Sequence, residues 1–267
     1  EMKEYRDAAS DASDILGTTT QKYLEASLIY KQQGGEAAYY ARELAESTVV
    51  AANISGVATD QMSEYLTSTI NGFELLAEKG GEAGTYVSDV LAQLGAASGS
   101  DLAEVATGLT RVAATAKEAG YEFEEISTMI ATVSERTRRS PETIGNAFKS
   151  ILANFNQIKE ASDDEAEEFT SKVEESFKAA NLDISIFDNG ALRDASDIFK
   201  DIAANWDTMT KEQQALVATN VAGKYQMENF IAFMESQERY TDLLVGAYES
   251  AGTSAIQQLV YMDSFQA

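Results

Sequence analysis

Among the 267 residues there is no cysteine and no histidine, and proline occurs once. Without cysteine the chain has no disulfide, no thiolate nucleophile and no zinc–thiolate site, and its redox compartment is left open. Without histidine it lacks the commonest general base and the commonest transition-metal ligand. Ser–His and Cys–His pairs, the HExxH zinc motif and the Glu-x-x-His di-iron motif are therefore excluded. Cations are scarce too: 20 Lys and Arg stand against 44 Asp and Glu, a formal net charge of −24. That balance argues against a broad nucleic-acid or anionic-membrane surface. No apolar run reaches the length of a membrane span, and the most apolar stretch, residues 48–58, is interrupted by Asn53 and Gly56. The opening residues, EMKEYRDAAS, show neither a basic n-region nor an apolar h-region, so no signal peptide is expected. The closing residues stay in a helical pattern without a stop signal, which together with the start at Glu1 suggests a piece of a longer chain.

What is present is a core and a helical period. Hydrophobic residues make up 44% of the chain, enough for a buried interior. One proline, few β-branched runs and long patterns of period 3.6 predict an all-α fold. In residues 100–120, Leu102, Val105, Ala106, Leu109, Val112, Ala113 and Ala116 recur at steps of three and four. Ser100 or Asp101 can cap that helix and Gly120 can end it. Residues 59–81 bury Met62, Tyr65, Leu66, Thr69, Ile70 and Phe73 behind a Thr59 cap, and residues 121–139 bury Phe123, Ile126, Met129, Ile130 and Val133. Ser140 then reads as an N-cap and Pro141 as the first residue of a helix with Ile144, Ala147, Phe148, Ile151, Leu152, Phe155 and Ile158 inward. Residues 59–158 thus form four or five antiparallel helices, a helical core that follows an N-terminal helical segment at 1–58 with a break at Gly34-Gly35.

Residues 160–175 hold eight carboxylates and one lysine, the composition of a solvated helix face or a mobile connector; 159–182 is assigned as that acidic helix or connector. Past Leu182 the pattern alternates Ile184 and Ile186 and then meets Phe187-Asp188-Asn189-Gly190, a small β-hairpin near 183–193 with Asn189 and Gly190 in its turn. Asp194 caps a helix that directs Ile198, Phe199, Ile202, Ala203 and Trp206 inward. Thr210 and Gln213 form a capping box for the next helix, with Leu216, Val217 and Val221 on its inner face and Gly223 as its stop. Residues 183–267 are therefore a hairpin followed by helical hairpins, with Trp206 wedged at a corner.

No catalytic, cofactor-binding or metal-ligating residue emerges. Arg136, Arg138 and Arg139 are suited either to a phosphate or to the carbonyl end of the helix they finish, where cations are favoured; so acidic a chain favours the second. The neighbouring pairs Glu124-Glu125 and Glu167-Glu168 point about 100° apart on a helix and cannot converge on one glycosidic bond. Asp188 has too few correctly spaced neighbours for a calcium loop. Trp206 is read as core, with an exposed recognition aromatic as the other option.

Two blocks carry a resemblance. Residues 134–155, SERTRRSPETIGNAFKSILANF, and 185–235, from SIFDNGALRDASDIF to FIAFME, closely resemble the core of TP901-type phage tail tape measure proteins. The matching positions are Thr137, Arg138, Ser140, Glu142, Thr143, Gly145, Ala147 and Lys149, then Trp206, Asp207, Met209, Thr210 and Gln214, then Ala222, Gly223, Phe230 and Met234. Arg138, Ser140, Pro141, Gly145, Asn189, Gly190, Trp206, Thr210, Gln214 and Gly223 stand out as its structural motif. The resemblance implies a multi-copy structural protein of the tail lumen that is made in the host cytoplasm, sets tail length and leaves ahead of the DNA at ejection. It implies self-association and contacts with the tail tube, a tail-assembly chaperone and tail-tip proteins, and it supplies no cofactor and no catalytic residue. Most members carry long coiled-coil and transmembrane stretches outside this core, and neither is present here. Periodicity alone fits equally a helical scaffold or interaction module unrelated to phage.

Overall fold

The computed structural model describes residues 2–160 and 164–266. The N-terminal helices are α1 (Met2–Ile15), α2 (Thr20–Gln33), α3 (Gly35–Tyr39) and α4 (Ala41–Ser55). The centre contains α5 (Thr59–Gly72), the one-turn α6 (Leu75–Lys79), α7 (Ala83–Ser98), α8 (Leu102–Glu118), α9 (Phe123–Thr137) and α10 (Pro141–Glu160). Then come α11 (Asp164–Ala179), strands β1 (Phe187–Asp188) and β2 (Ala191–Leu192), α12 (Ala195–Asn205), α13 (Lys211–Met234), α14 (Gln237–Tyr248) and α15 (Thr253–Gln266). The fold is all-α with one two-stranded antiparallel ribbon, in which Phe187 pairs with Leu192 and Asp188 with Ala191. No helix among the described residues is long and apolar enough to cross a membrane.

Helix α8 is the axis of the fold. Its seven apolar positions at steps of three and four are all buried, and α5, α7, α9 and α10 pack around it. Asp101 caps it through a reciprocal box: the Glu104 amide donates to the Asp101 carboxylate at 2.7 Å, and the Asp101 amide donates to Glu104 Oε2 at 3.3 Å. Gly108 and Gly145 bring α8 and α10 into backbone contact. A methyl group on Gly145 would lie 2.1 Å from the Gly108 carbonyl oxygen, and one on Gly108 would lie 2.6 Å from that of Pro141. Only the absence of a side chain at both positions permits the crossing.

One large hydrophobic cluster runs from Tyr30 to Ala247, and a second, of Ala9, Tyr23, Ala26, Ala45 and Val49, lies among α1, α2 and α4. Tyr30 is fully buried and shares a 2.7 Å hydrogen bond with the Thr48 hydroxyl; burial pushes its phenol up to about 12.

Three local expectations change. Ala58, with extended backbone, takes the N-cap of α5, and Thr59 is its first helical residue, because the Met62 amide bonds to the Ala58 carbonyl at 3.0 Å. The 59–81 pattern then breaks where Glu74 adopts a left-handed φ of 58°, which separates α5 from α6. Leu216 is 41% exposed, because the inner face of α13 is set by Gln214, Val217, Ala218 and Val221, and Leu216 lies a helical step to the side. Of the acidic run, residues 161–163 lie outside the described residues. From Asp164 it is helical, with Glu167, Glu168 and Glu175 exposed and Val173 and Phe177 in the core.

A buried carboxylate secures α15. Asp89 on α7 is 6% exposed and accepts hydrogen bonds from the amides of Gly252 (2.8 Å) and Ser254 (2.9 Å) and from the Ser254 hydroxyl. It therefore caps, from another helix, the amino-terminal groups that α15 cannot satisfy itself. Asp89→Ala is expected to cost about 2 kcal/mol, and Asp89→Asn, which keeps one acceptor oxygen, about half of that. Urea unfolding midpoints of the two variants check the order.

Candidate functional site

Three of the ten residues singled out by sequence, Trp206, Thr210 and Gln214, meet at one corner. Helix α12 ends at Asn205, Trp206–Thr208 form a single 3-10 turn, and Thr210 starts α13. Thr210 caps through the expected box: the Gln213 amide donates to Thr210 Oγ1 at 3.3 Å, and the Thr210 amide to Gln213 Oε1 at 2.9 Å. Gln214, one residue on, is 5% exposed and donates from Nε2 to the Trp206 carbonyl at 2.8 Å. The spacing Trp-x-x-x-Thr-x-x-x-Gln thus has a physical meaning. The tryptophan fills the corner, the threonine starts the next helix, and the glutamine takes the carbonyl left over where the chain turns.

Trp206 itself is 1% exposed. Its ring meets Phe230 edge-on at 6.2 Å, Phe230 meets Phe199 at 5.1 Å, and Phe199 meets Phe155 at 5.7 Å, all near-perpendicular. This chain of rings joins α12, the second half of α13 and α10 in the geometry that aromatic quadrupoles favour. Phe148 of α10 likewise meets Phe233 of α13 at 6.0 Å.

An arginine clamp closes the same junction from outside. Arg136 donates to Glu235 at 2.7 Å, and Lys211 reaches the other oxygen of Glu235 at 3.1 Å. Arg139 donates to Glu228 at 2.6 Å and to Asn229 Oδ1 at 2.8 Å. Lys211, and then Arg136, hold the Glu235 carboxyl below its ordinary value. A depressed carboxyl contributes stability above its unfolded pKa and loses it as pH falls through the folded one, so this clamp loosens only in acid. Its charged members are 30–78% exposed, so it orients more than it stabilises.

The other marked residues shape the chain. Arg138 ends α9 in the left-handed region, φ 58°, with its amide on the Ser134 carbonyl at 2.8 Å. Ser140 Oγ accepts from the Thr143 amide at 3.3 Å, and Pro141 is the first residue of α10. Asn189 and Gly190, φ 49° and 83°, make the two-residue turn of the ribbon. Gly223, φ 73° and ψ 159°, interrupts α13 so that Phe230 and Phe233 swing back onto the core. Asp194 occupies the N-cap of α12 without a side-chain bond to its amides.

Chemistry is sparse around these residues. No group of three or more Asp and Glu among the described residues is placed to hold a metal. Glu124 and Glu125 are both buried yet diverge: Glu124 accepts from the Tyr86 hydroxyl, and Glu125 meets Lys200 Nζ at 2.9 Å. Burial, and then the bond to Glu124, raise the Tyr86 phenol well above its ordinary value. The cleft beside the ribbon is lined by Asp183, Asp188, Asp194, Asp197 and Arg193, and Arg193 is already bonded to Asp201 at 2.6 Å.

Residues 6–223 match the family model of phage-related minor tail proteins. The chain belongs to that family. The match spans most of the sequence, includes α10 and the Trp206 corner, and sets aside a scaffold unrelated to phage. No solved structure matches this tail protein. Sequence reasoning missed the acceptors of the arginine clamp. Charge alone was the signal: Glu228 and Glu235 lie about two turns apart along α13 and its C-cap, but Arg139 lies beyond the end of α9, so no helical spacing pairs them with Arg136 and Arg139. It also gave Gln214 no physical task.

Proposed function

We propose that this tail protein is the core of a TP901-type tape measure protein, with a structural and non-enzymatic role in the tail lumen. The observation that carries the reading is the union of the two resembling blocks. Residues 134–155 and 185–235 are separated in sequence yet share the ring series Phe155–Phe199–Phe230–Trp206 and the arginine clamp. A motif whose members serve helix caps, a turn, a crossing glycine and a wedged tryptophan preserves shape, not chemistry. In this reading, the unit organises assembly with the tail tube, a tail-assembly chaperone and tail-tip proteins, while length measurement and passage of DNA belong to other regions of the full-length protein.

Protease protection in purified phage tests the lumenal placement. Intact particles are expected to shield this segment from protease and to expose or release it once ejection is triggered. Complete digestion in intact, infectious particles would place it on the outside of the tail and overturn the reading.

A further inference from the structure

Three helix ends meet beside Arg138. The carboxyl ends of α7 and α9 and the amino end of α10 enclose a cleft of about 300 Å³, whose lining includes Ser98, Ser100, Glu104, Ser134, Glu135 and Arg138. Ser98 and Ser134 are 3% and 4% exposed, and among the described residues neither hydroxyl has a hydrogen-bond partner. Ser63, Ser88, Ser127 and Thr132, equally buried in helices, bond back to the carbonyl four residues earlier at 2.6–2.9 Å. Ser98 and Ser134 do not, and both line this one cleft. A buried hydroxyl is costly to leave unpaired, so two on one cleft point to a ligand.

Charge narrows what that ligand is. Arg136 and Arg139 are bound to Glu235 and Glu228, but Arg138 makes no ion pair among the described residues. Its backbone ends α9 at φ 58°, in the left-handed region where glycine is ordinary and a long side chain is not. The amino end of the 20-residue α10 favours an anion in the cleft. The opposing carbonyls of α7 and α9 are already engaged: Ala97 by Arg239 at 2.6 Å, and Ser134 by the Arg138 amide at 2.8 Å.

We propose that this cleft binds inorganic phosphate. Arg138 and the hydroxyls of Ser98, Ser100 and Ser134 supply donors for its charged oxygens. Glu104 and Glu135 decide which oxyanion fits. Glu135 gives Oε2 to Arg239 at 3.0 Å, and Glu104 gives Oε2 to the Asp101 amide at 3.3 Å, so each keeps Oε1 as an acceptor. Hydrogen phosphate retains an O–H at neutral pH and can donate it to one of these carboxylates. Sulfate and a phosphodiester carry no such hydrogen and would set a bare oxygen against them. The same two carboxylates therefore turn away a nucleic-acid backbone, in keeping with the net charge of −24.

Calorimetric titration of the purified chain with inorganic phosphate near neutral pH, in buffer free of other oxyanions, is expected to show one saturable site per chain. A dissociation constant on the order of 1 mM or tighter is expected, with sulfate and dimethyl phosphate at least about tenfold weaker. Arg138→Gly should weaken phosphate binding about tenfold or more while leaving the thermal midpoint unchanged or raised, because glycine relieves the left-handed backbone. Ser98→Ala combined with Ser134→Ala should weaken binding several-fold yet fold at least as stably, since it removes two buried hydroxyls that have no partner within the described residues. No saturable binding at roughly fifty times the expected dissociation constant would overturn the proposal. So would phosphate binding indifferent to Arg138→Gly or to the paired serine variant. Sulfate or dimethyl phosphate bound as tightly as phosphate would also overturn it, the second because it would make the cleft a site for nucleic-acid backbone.

Discussion

Replacing Trp206 by alanine is expected to lower stability by about 3–5 kcal/mol, the range for truncating a large buried aromatic. The side chain is 1% exposed and sits at the end of the ring series through Phe230, Phe199 and Phe155, so its loss opens a cavity at the junction of α10, α12 and α13. The indole nitrogen has no hydrogen-bond partner among the described residues, so the cost comes from packing alone. Trp206→Phe should accordingly recover more than half of the loss. Because Trp206 is the only tryptophan, its emission reports this site directly and should be blue-shifted in the folded chain. Emission typical of water together with unchanged stability would move Trp206 from core to contact residue.

Gly145→Leu is expected to be comparably severe, at about 3 kcal/mol or more, by the opposite mechanism. Alanine at this position would already bring Cβ within 2.1 Å of the Gly108 carbonyl oxygen, and the obstacle is backbone, which cannot swing aside as a side chain can. The two helices must separate along their whole contact, and overpacking of that kind costs about 1–3 kcal/mol even where neighbours yield. Gly190→Ala is the control: φ is 83° but nothing lies within 4 Å, so only the backbone cost of about 1 kcal/mol applies. Denaturant midpoints of the two variants separate a steric crossing from a merely permissive glycine. Equal losses would show that Gly145 does not set the helix spacing.

These two residues also mark how far the sequence could be read. Apolar spacing located α8 and α10 and their buried faces, because one side of each helix meets the core and the other meets solvent; it located α9 too, but every residue of α9 from Phe123 to Ser134 is buried, its polar side included. Local chemistry located the Asn189-Gly190 turn and the Thr210 cap, because both depend on residues within one turn of each other. Long-range relations were invisible. Gly145 faces Gly108 across 37 positions and Asp89 caps a helix more than 160 residues away, and no periodicity encodes either. Leu216 shows the limit even within a helix: hydrophobicity assigned it inward, but the buried place went to Gln214, whose amide meets the Trp206 carbonyl. The candidate site was therefore legible as a list of residues and not as an arrangement.

The most direct test of the central claim, that residues 183–235 are a unit of fixed shape and not a length of ruler, is electron microscopy of tails from the parent phage with that segment deleted in frame. The account predicts that tails fail to assemble or assemble with irregular length, and that Trp206→Ala, which removes no length, produces a milder form of the same defect. A ruler shortens tails in proportion to what is removed, by about 1.5 Å for each helical residue. Infectious particles of normal diameter, with tails uniformly shortened by that amount, would contradict the account.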